Sequence, residues 1–200
     1  MVNMEFTITN IVQFFGFLTP LLIGFFLLGA SVINKDIKGL MYIAGVMFAF
    51  ILNTVFKNVI RSEQLLGRSQ TCDLIGLPFG TAYNVPSWNS VFIAFTFAYL
   101  CLPMAFTKNW NFAVVISLIV LFCIEAVTGF SNRCTNSMGI VIGGLFGLIL
   151  GGIWFAIIRS SGNTQLLYFE EMTNGETCSR PSKQKFKCSV YKNGKLIKNL

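Results

Sequence analysis

Five apolar runs, each long enough to cross a bilayer, restrict this chain to a membrane-embedded helical bundle. They cover Ile8 to Ile33, Gly39 to Ile60, Trp88 to Phe106, Asn111 to Phe130 and Met138 to Ile158, and a spanning helix needs roughly 20 predominantly apolar residues. Inside hydrocarbon the backbone has no water to bond, so each run must close its own hydrogen bonds as a helix. The first run follows a leader, Met1 to Thr7, whose only charge is Glu5. A secretory signal has a basic n-region and a shorter apolar core, so a retained helix is expected. The predicted fold is all-α: a five-helix polytopic bundle over residues 1–159 and a basic tail over 160–200, with one long polar loop from Lys57 to Ser90 and short polar turns between the other spans.

Composition agrees, because only 12% of residues are charged where a soluble domain has roughly a quarter. The net charge of +7 comes mostly from the tail, which suits anionic headgroups or an acidic protein partner. No nucleic-acid-reading motif accompanies it. With no histidine in the chain, the commonest general base and metal ligand is missing. The six cysteines form no Cys-x-x-Cys pair, so neither a metal site nor a redox centre is indicated, and no cofactor is expected.

Five spans put the two termini on opposite sides. Lys35, Lys38, Lys108, Arg159 and the tail cations Arg180, Lys183, Lys185, Lys187, Lys192, Lys195 and Lys198 share one side; Arg61, Arg68 and Arg133 share the other. The positive-inside bias then makes the tail cytoplasmic and sets the N-terminus and the 61–87 and 131–137 loops opposite it. Whatever the orientation, those two loops are separated by two spans and lie on one face. Lys57, Arg61, Arg68 and Arg133 are therefore candidates to converge on an anion there.

Three stretches on that face carry a family pattern. Arg61, six residues, Arg68-Ser69 is one; Lys57 at the span end is its rival, with Gln64 in the second place. Pro86-Ser87-Trp88-Asn89-Ser90 opens the third span, and Ser131-Asn132-Arg133 precedes the fifth. In this order they resemble the type 2 phosphatidic acid phosphatases, relatives of dolichyl diphosphatases and vanadium haloperoxidases. That family has Lys, six residues, Arg-Pro; then Pro-Ser-Gly-His; then Ser-Arg, five residues, His, three residues, Asp. The likeness runs from about Lys57 to Gly152, one N-terminal span short of the usual six.

The resemblance implies phosphoryl transfer through a nucleophilic histidine and a second, acid histidine, with cations on the phosphate oxygens. Here Asn89 and Gly139 stand where the histidines would be, and Gly143 stands for the orienting Asp. Losing groups that act as a unit removes orders of magnitude of rate. The expectation is a non-catalytic membrane protein that binds a lipid phosphate, or a membrane scaffold whose tail engages a partner. Its anion cradle would be Lys57, Arg61, Arg68, Ser87, Asn89 and Arg133, with N–H groups opening the Trp88 helix. Two rivals stand beside it: a working phosphatase on lipid or isoprenoid (di)phosphates with an unusual nucleophile, and a structural membrane protein of a virion or other membrane-bounded particle.

Three further features bear on the bundle. Glu125 sits inside the fourth span, where an ionisable group needs a partner; an ion pair with Arg133, Arg68 or Arg61 is expected. Gly139, Gly143, Gly147 and Gly151 recur every fourth residue, baring one helix face to another helix, of this chain or of a second copy. Cys72 and Cys134 lie in the two loops that share a face and form the candidate disulfide if that face is oxidising. In the tail, Phe186 to Tyr191 and Lys195 to Ile197 flank Asn193-Gly194 and read as a small β-hairpin; a solvated basic tail is the alternative.

Overall fold

The computed structural model describes residues 7–67, 69, 72, 83–169, 189–192 and 195–199. Its helices are α1 (Ile8–Asn34), α2 (Lys38–Ile60), α3 (Trp88–Thr107), α4 (Phe112–Ser131) and α5 (Ser137–Ser160). All five are long and apolar enough to cross a membrane, and the protein is a multi-pass integral membrane protein. Pro20 lies within α1 without ending it.

The helix ends are set by local chemistry. Between α1 and α2, Asp36 Oδ1 accepts from the Lys38 N–H (3.1 Å) and the Ser31 hydroxyl accepts from Gly39 (3.0 Å), satisfying donors that a helix start leaves orphaned. Asn111 caps α4 by accepting from Val114 N–H, and Asn136 caps α5 by accepting from Gly139 N–H at 2.7 Å. Arg61 ends α2 in the left-handed region (φ 51°), its N–H bonded to the Lys57 carbonyl, a common way to stop a helix.

Helix α3 is the axis of the bundle. Val91, Ile93, Phe95, Tyr99 and Met104 are wholly buried, and a 2.7 Å bond between the Thr96 and Tyr42 hydroxyls joins it to α2. Helix α5 runs beside α3 on the glycine face. A Cβ at Gly143 would lie 2.9 Å from the Ser87 carbonyl, one at Gly147 2.9 Å from Ala94 Cβ, and one at Gly151 2.5 Å from the Phe95 carbonyl. The glycines let two backbones meet with no side chain between them. That face is thus filled by α3 of the same chain and is not open to a second copy.

The bundle also reaches further along the chain than residue 159. A 3-10 turn, Thr164–Leu166, brings Leu167 to full burial, and the Tyr168 hydroxyl donates to the Leu27 carbonyl at 2.9 Å. Burial, followed by the nearby Asp36 carboxylate, pushes the Tyr168 phenol up to about 12. A free phenol ionises near 10, so the docked segment retains a proton that the released one loses. The resulting stabilisation is complete below pH 10 and disappears as pH rises through 12. Tyr168→Phe is expected to cost about 1 kcal/mol at neutral pH through the lost hydrogen bond. That deficit should shrink above pH 10, measured as the difference between the two proteins' melting curves.

In the tail, β1 (Ser189–Lys192) and β2 (Lys195–Asn199) pair antiparallel, Lys192 opposite Lys195. The expected turn residues Asn193-Gly194, and Phe186 to Cys188 before the first strand, lie outside the described residues.

Candidate functional site

The face formed by the end of α2, the start of α3 and the α4–α5 connection is drawn together by its own loops. The legs of the long loop pair with one another: Glu63 bridges Tyr83, and Asn84 N–H donates to the Ser62 carbonyl at 2.9 Å. The next stretch is strapped to the α4–α5 connection. Ser69 N–H donates to the Asn132 carbonyl at 3.2 Å, and Cys72 is disulfide-bonded to Cys134, with Cα atoms 5.4 Å apart. Arg133, itself in the left-handed region (φ 53°), donates from Nη1 to the Leu66 carbonyl at 3.3 Å. Its guanidinium lies 3.3 Å from where a Gly67 Cβ would stand.

Beneath these straps, the stretch that opens α3 meets the one that opens α5. Ser87 N–H donates to the Gly139 carbonyl at 3.0 Å. A Cβ at Gly139 would run into Thr135 Oγ1, and one at Gly143 would lie 3.1 Å from Ser90 Cβ. The position matched to the family's histidine is thus filled by the Thr135, Asn136 and Val85 side chains, and the one matched to its aspartate is closed by the backbone that opens α3.

Glu125 is 2% exposed, and its partners are hydroxyls. Ser90 Oγ donates to Oε2 at 3.0 Å, and Ser87 Oγ approaches Oε1 at 3.5 Å, the outer limit of a hydrogen bond. Of the arginines expected to pair with it, Arg133 is engaged with Leu66 and Arg61 donates from Nε to the Asn58 carbonyl at 3.2 Å, while Arg68 lies outside the described residues. The helical phase of α4 turns Glu125 inward to α3. Arg61 and Arg133 lie exposed in the loops, and drawing a guanidinium to that depth would strip its hydration.

Ser87 also leaves the anion cradle, since its hydroxyl faces a carboxyl and its N–H is taken by Gly139. Asn89 is half-buried in the first turn of α3, and Lys57 is half-buried in the last turn of α2. Arg68 lies outside the described residues. What the described residues place on the outer face are the exposed guanidinium groups of Arg61 and Arg133.

Several polar residues of this region were not singled out in the sequence. Ser90, Thr128 and Thr135 are buried around Glu125 and Gly129. Ser90 could have been found, because it lies one helical turn beyond Ser87 on the same face of α3. Asn84 is buried just ahead of the Pro86 stretch, and its Nδ2 has no hydrogen-bond partner among the described residues; the same holds for Asn53 Oδ1 on α2.

Chemically, the interior offers a carboxyl held by two hydroxyls that are wholly or largely shut away, Ser90 having no exposed surface. Among the described residues, no three His, Cys, Asp or Glu side chains come close enough to hold a metal ion. No protein-family model matches the chain, and comparison with curated proteins and with solved structures finds no match.

Proposed function

We propose that this protein holds the phosphate of an anionic lipid at its disulfide-strapped face and turns nothing over. The observation that carries the reading is Arg133. Its exposed guanidinium is anchored by one N–H on the Leu66 carbonyl, on the face that also carries Arg61. A guanidinium has five donors in a planar fork suited to phosphate, so one bond to a carbonyl leaves donors for a headgroup. The sealed Gly139 and Gly143 positions support the non-catalytic half of the proposal. The likeness to the lipid phosphatases supplies the kinship: the same three stretches in the same order, with the space for the missing side chains taken up by packing. The disulfide and the positive-inside bias together favour an oxidising compartment for this face and the cytoplasm for the tail.

The test is lipid selectivity in reconstituted vesicles. Phosphatidic acid should co-purify with the protein in preference to phosphatidylcholine, with no phosphate released. Arg61→Gln and Arg133→Gln together should lower that preference roughly tenfold, as loss of a charge-assisted hydrogen bond of about 1.5 kcal/mol would. Undiminished preference in the double variant overturns the phosphate site. Phosphate release that Arg133→Gln abolishes overturns the non-catalytic reading.

A further inference from the structure

Below the α4–α5 connection the two helices part. Helix α5 follows α3, while α4 packs against α1 and α3, and between α4 and α5 lies a slot of about 200 Å³ floored by α3. Ile93 and Phe97 form the floor, Leu118 and Phe122 one wall, Gly144 and Leu148 the other. Its surface is apolar throughout. The mouth opens sideways, where Ile119 is 49% and Leu148 40% exposed. Gly144 keeps the slot open toward the loop end, since a Cβ there would come within 3.2 Å of the Phe122 ring.

The slot is embedded in a spanning bundle, so its mouth faces hydrocarbon rather than water. A helix, about 10 Å across with its side chains, is too wide for it. Pockets for drug-sized ligands start at roughly 300 Å³, larger than this one. An alkyl chain suits both the width and the surroundings. The polar end is also fixed: Arg133 belongs to the short connection that roofs the gap between α4 and α5. Arg133 follows the end of α4 at Ser131 by two residues, and Phe122 lies nine positions before that end, about 14 Å at 1.5 Å per residue. That matches one leaflet's half of a hydrocarbon core about 30 Å thick.

We propose that this slot takes one acyl chain of the anionic lipid whose phosphate Arg133 holds. The headgroup end rests on the lipid-phosphate reading above; the chain site goes beyond it.

The experiment uses the full chain in phosphatidylcholine nanodiscs with a trace of phosphatidic acid carrying a photoactivatable diazirine in the distal half of one chain. Adducts mapped by mass spectrometry should concentrate on the segments 118–123 and 144–148. Diacylglycerol with the same chain should label the slot less, Arg133→Gln should bring phosphatidic acid down to that level, and added inorganic phosphate should not displace the chain. Gly144→Leu, or Leu148→Trp from the exposed side should the first fail to fold, should cut slot labelling roughly fivefold, the equivalent of about 1 kcal/mol.

Adducts spread evenly over lipid-facing residues such as Phe25 and Phe26 overturn the chain site. If selectivity for phosphatidic acid persists in that case, the phosphate reading stands without it. Equal slot labelling by diacylglycerol and phosphatidic acid, unmoved by Arg133→Gln, overturns the coupling of chain to headgroup and removes Arg133 as the phosphate contact.

Discussion

Gly147→Val is expected to be the most damaging single change in the spanning region, lowering stability by about 3 kcal/mol or more, at or above the usual range for overpacking. A Cβ at this position would run into the Val91 carbonyl oxygen and lie 2.9 Å from Ala94 Cβ and 3.0 Å from Phe95 N. Two of those three atoms are backbone and cannot rotate away. The helices would have to separate, and α3 also carries Phe95 and Tyr99, both fully buried, so the damage passes into the rest of the core. The same helix supplies its control. At Gly152 a Cβ would meet only Leu102 Cδ1 at 3.8 Å, an ordinary contact, and alanine there should be neutral or stabilise by about 0.5 kcal/mol through reduced backbone freedom. Thermal unfolding in detergent micelles reads both. A Gly147→Val protein that melts with the parent would mean that α3 and α5 do not pack through this seam.

The glycine seam marks a limit on what the sequence could say. Its period was visible because glycine every fourth residue lies on one side of a helix, but periodicity names no partner. The partner is α3, which presents its own small or flat positions, Ser87, Ser90, Ala94 and Ala98, to the same stripe. The spans themselves were legible to within two residues at each end, because an apolar run of bilayer length has no other way to satisfy its backbone. Thr164 to Phe169 was not legible: Leu166 to Phe169 is an apolar run of four between polar residues, too short to show a period. Hydrogen bonds to Leu27 of α1 and to Tyr99 and Thr107 of α3 make it a dock.

Glu125 was legible as a group that needed a partner, and the partners among the described residues are serines, with Arg61 and Arg133 engaged elsewhere. Charge suggested arginine; helical phase and depth decided for serine. In a low-dielectric interior, two hydroxyls already on the facing helix satisfy a carboxyl without taking a cation out of water. The same reasoning accounts for Ser87, which by position belonged to the anion cradle and by geometry belongs to the interior.

Removing the serine hydroxyls should therefore be worse than removing the carboxyl they serve. In Ser87→Ala/Ser90→Ala, the Glu125 carboxyl stays buried with both side-chain donors gone, and an unsatisfied acid at that depth costs about 3 kcal/mol. Glu125→Met leaves two hydroxyls instead, and serines in a helix can turn back to carbonyls of their own preceding turn, so a loss of about 1 kcal/mol is expected. The decisive protein carries all three changes. Replacing donors and acceptor together by apolar groups of similar size is close to neutral, so Glu125→Met in the double-alanine background should recover most of the stability lost there. Unfolding midpoints of the parent and the three variants measure this as a coupling energy. If the three-change protein is the least stable of the set, Glu125 is anchored by groups other than these two serines. If it recovers, the carboxyl and its hydroxyls form one closed unit that pins the start of α3 to α4. The anionic-lipid face can then rest on that unit without drawing on it for chemistry.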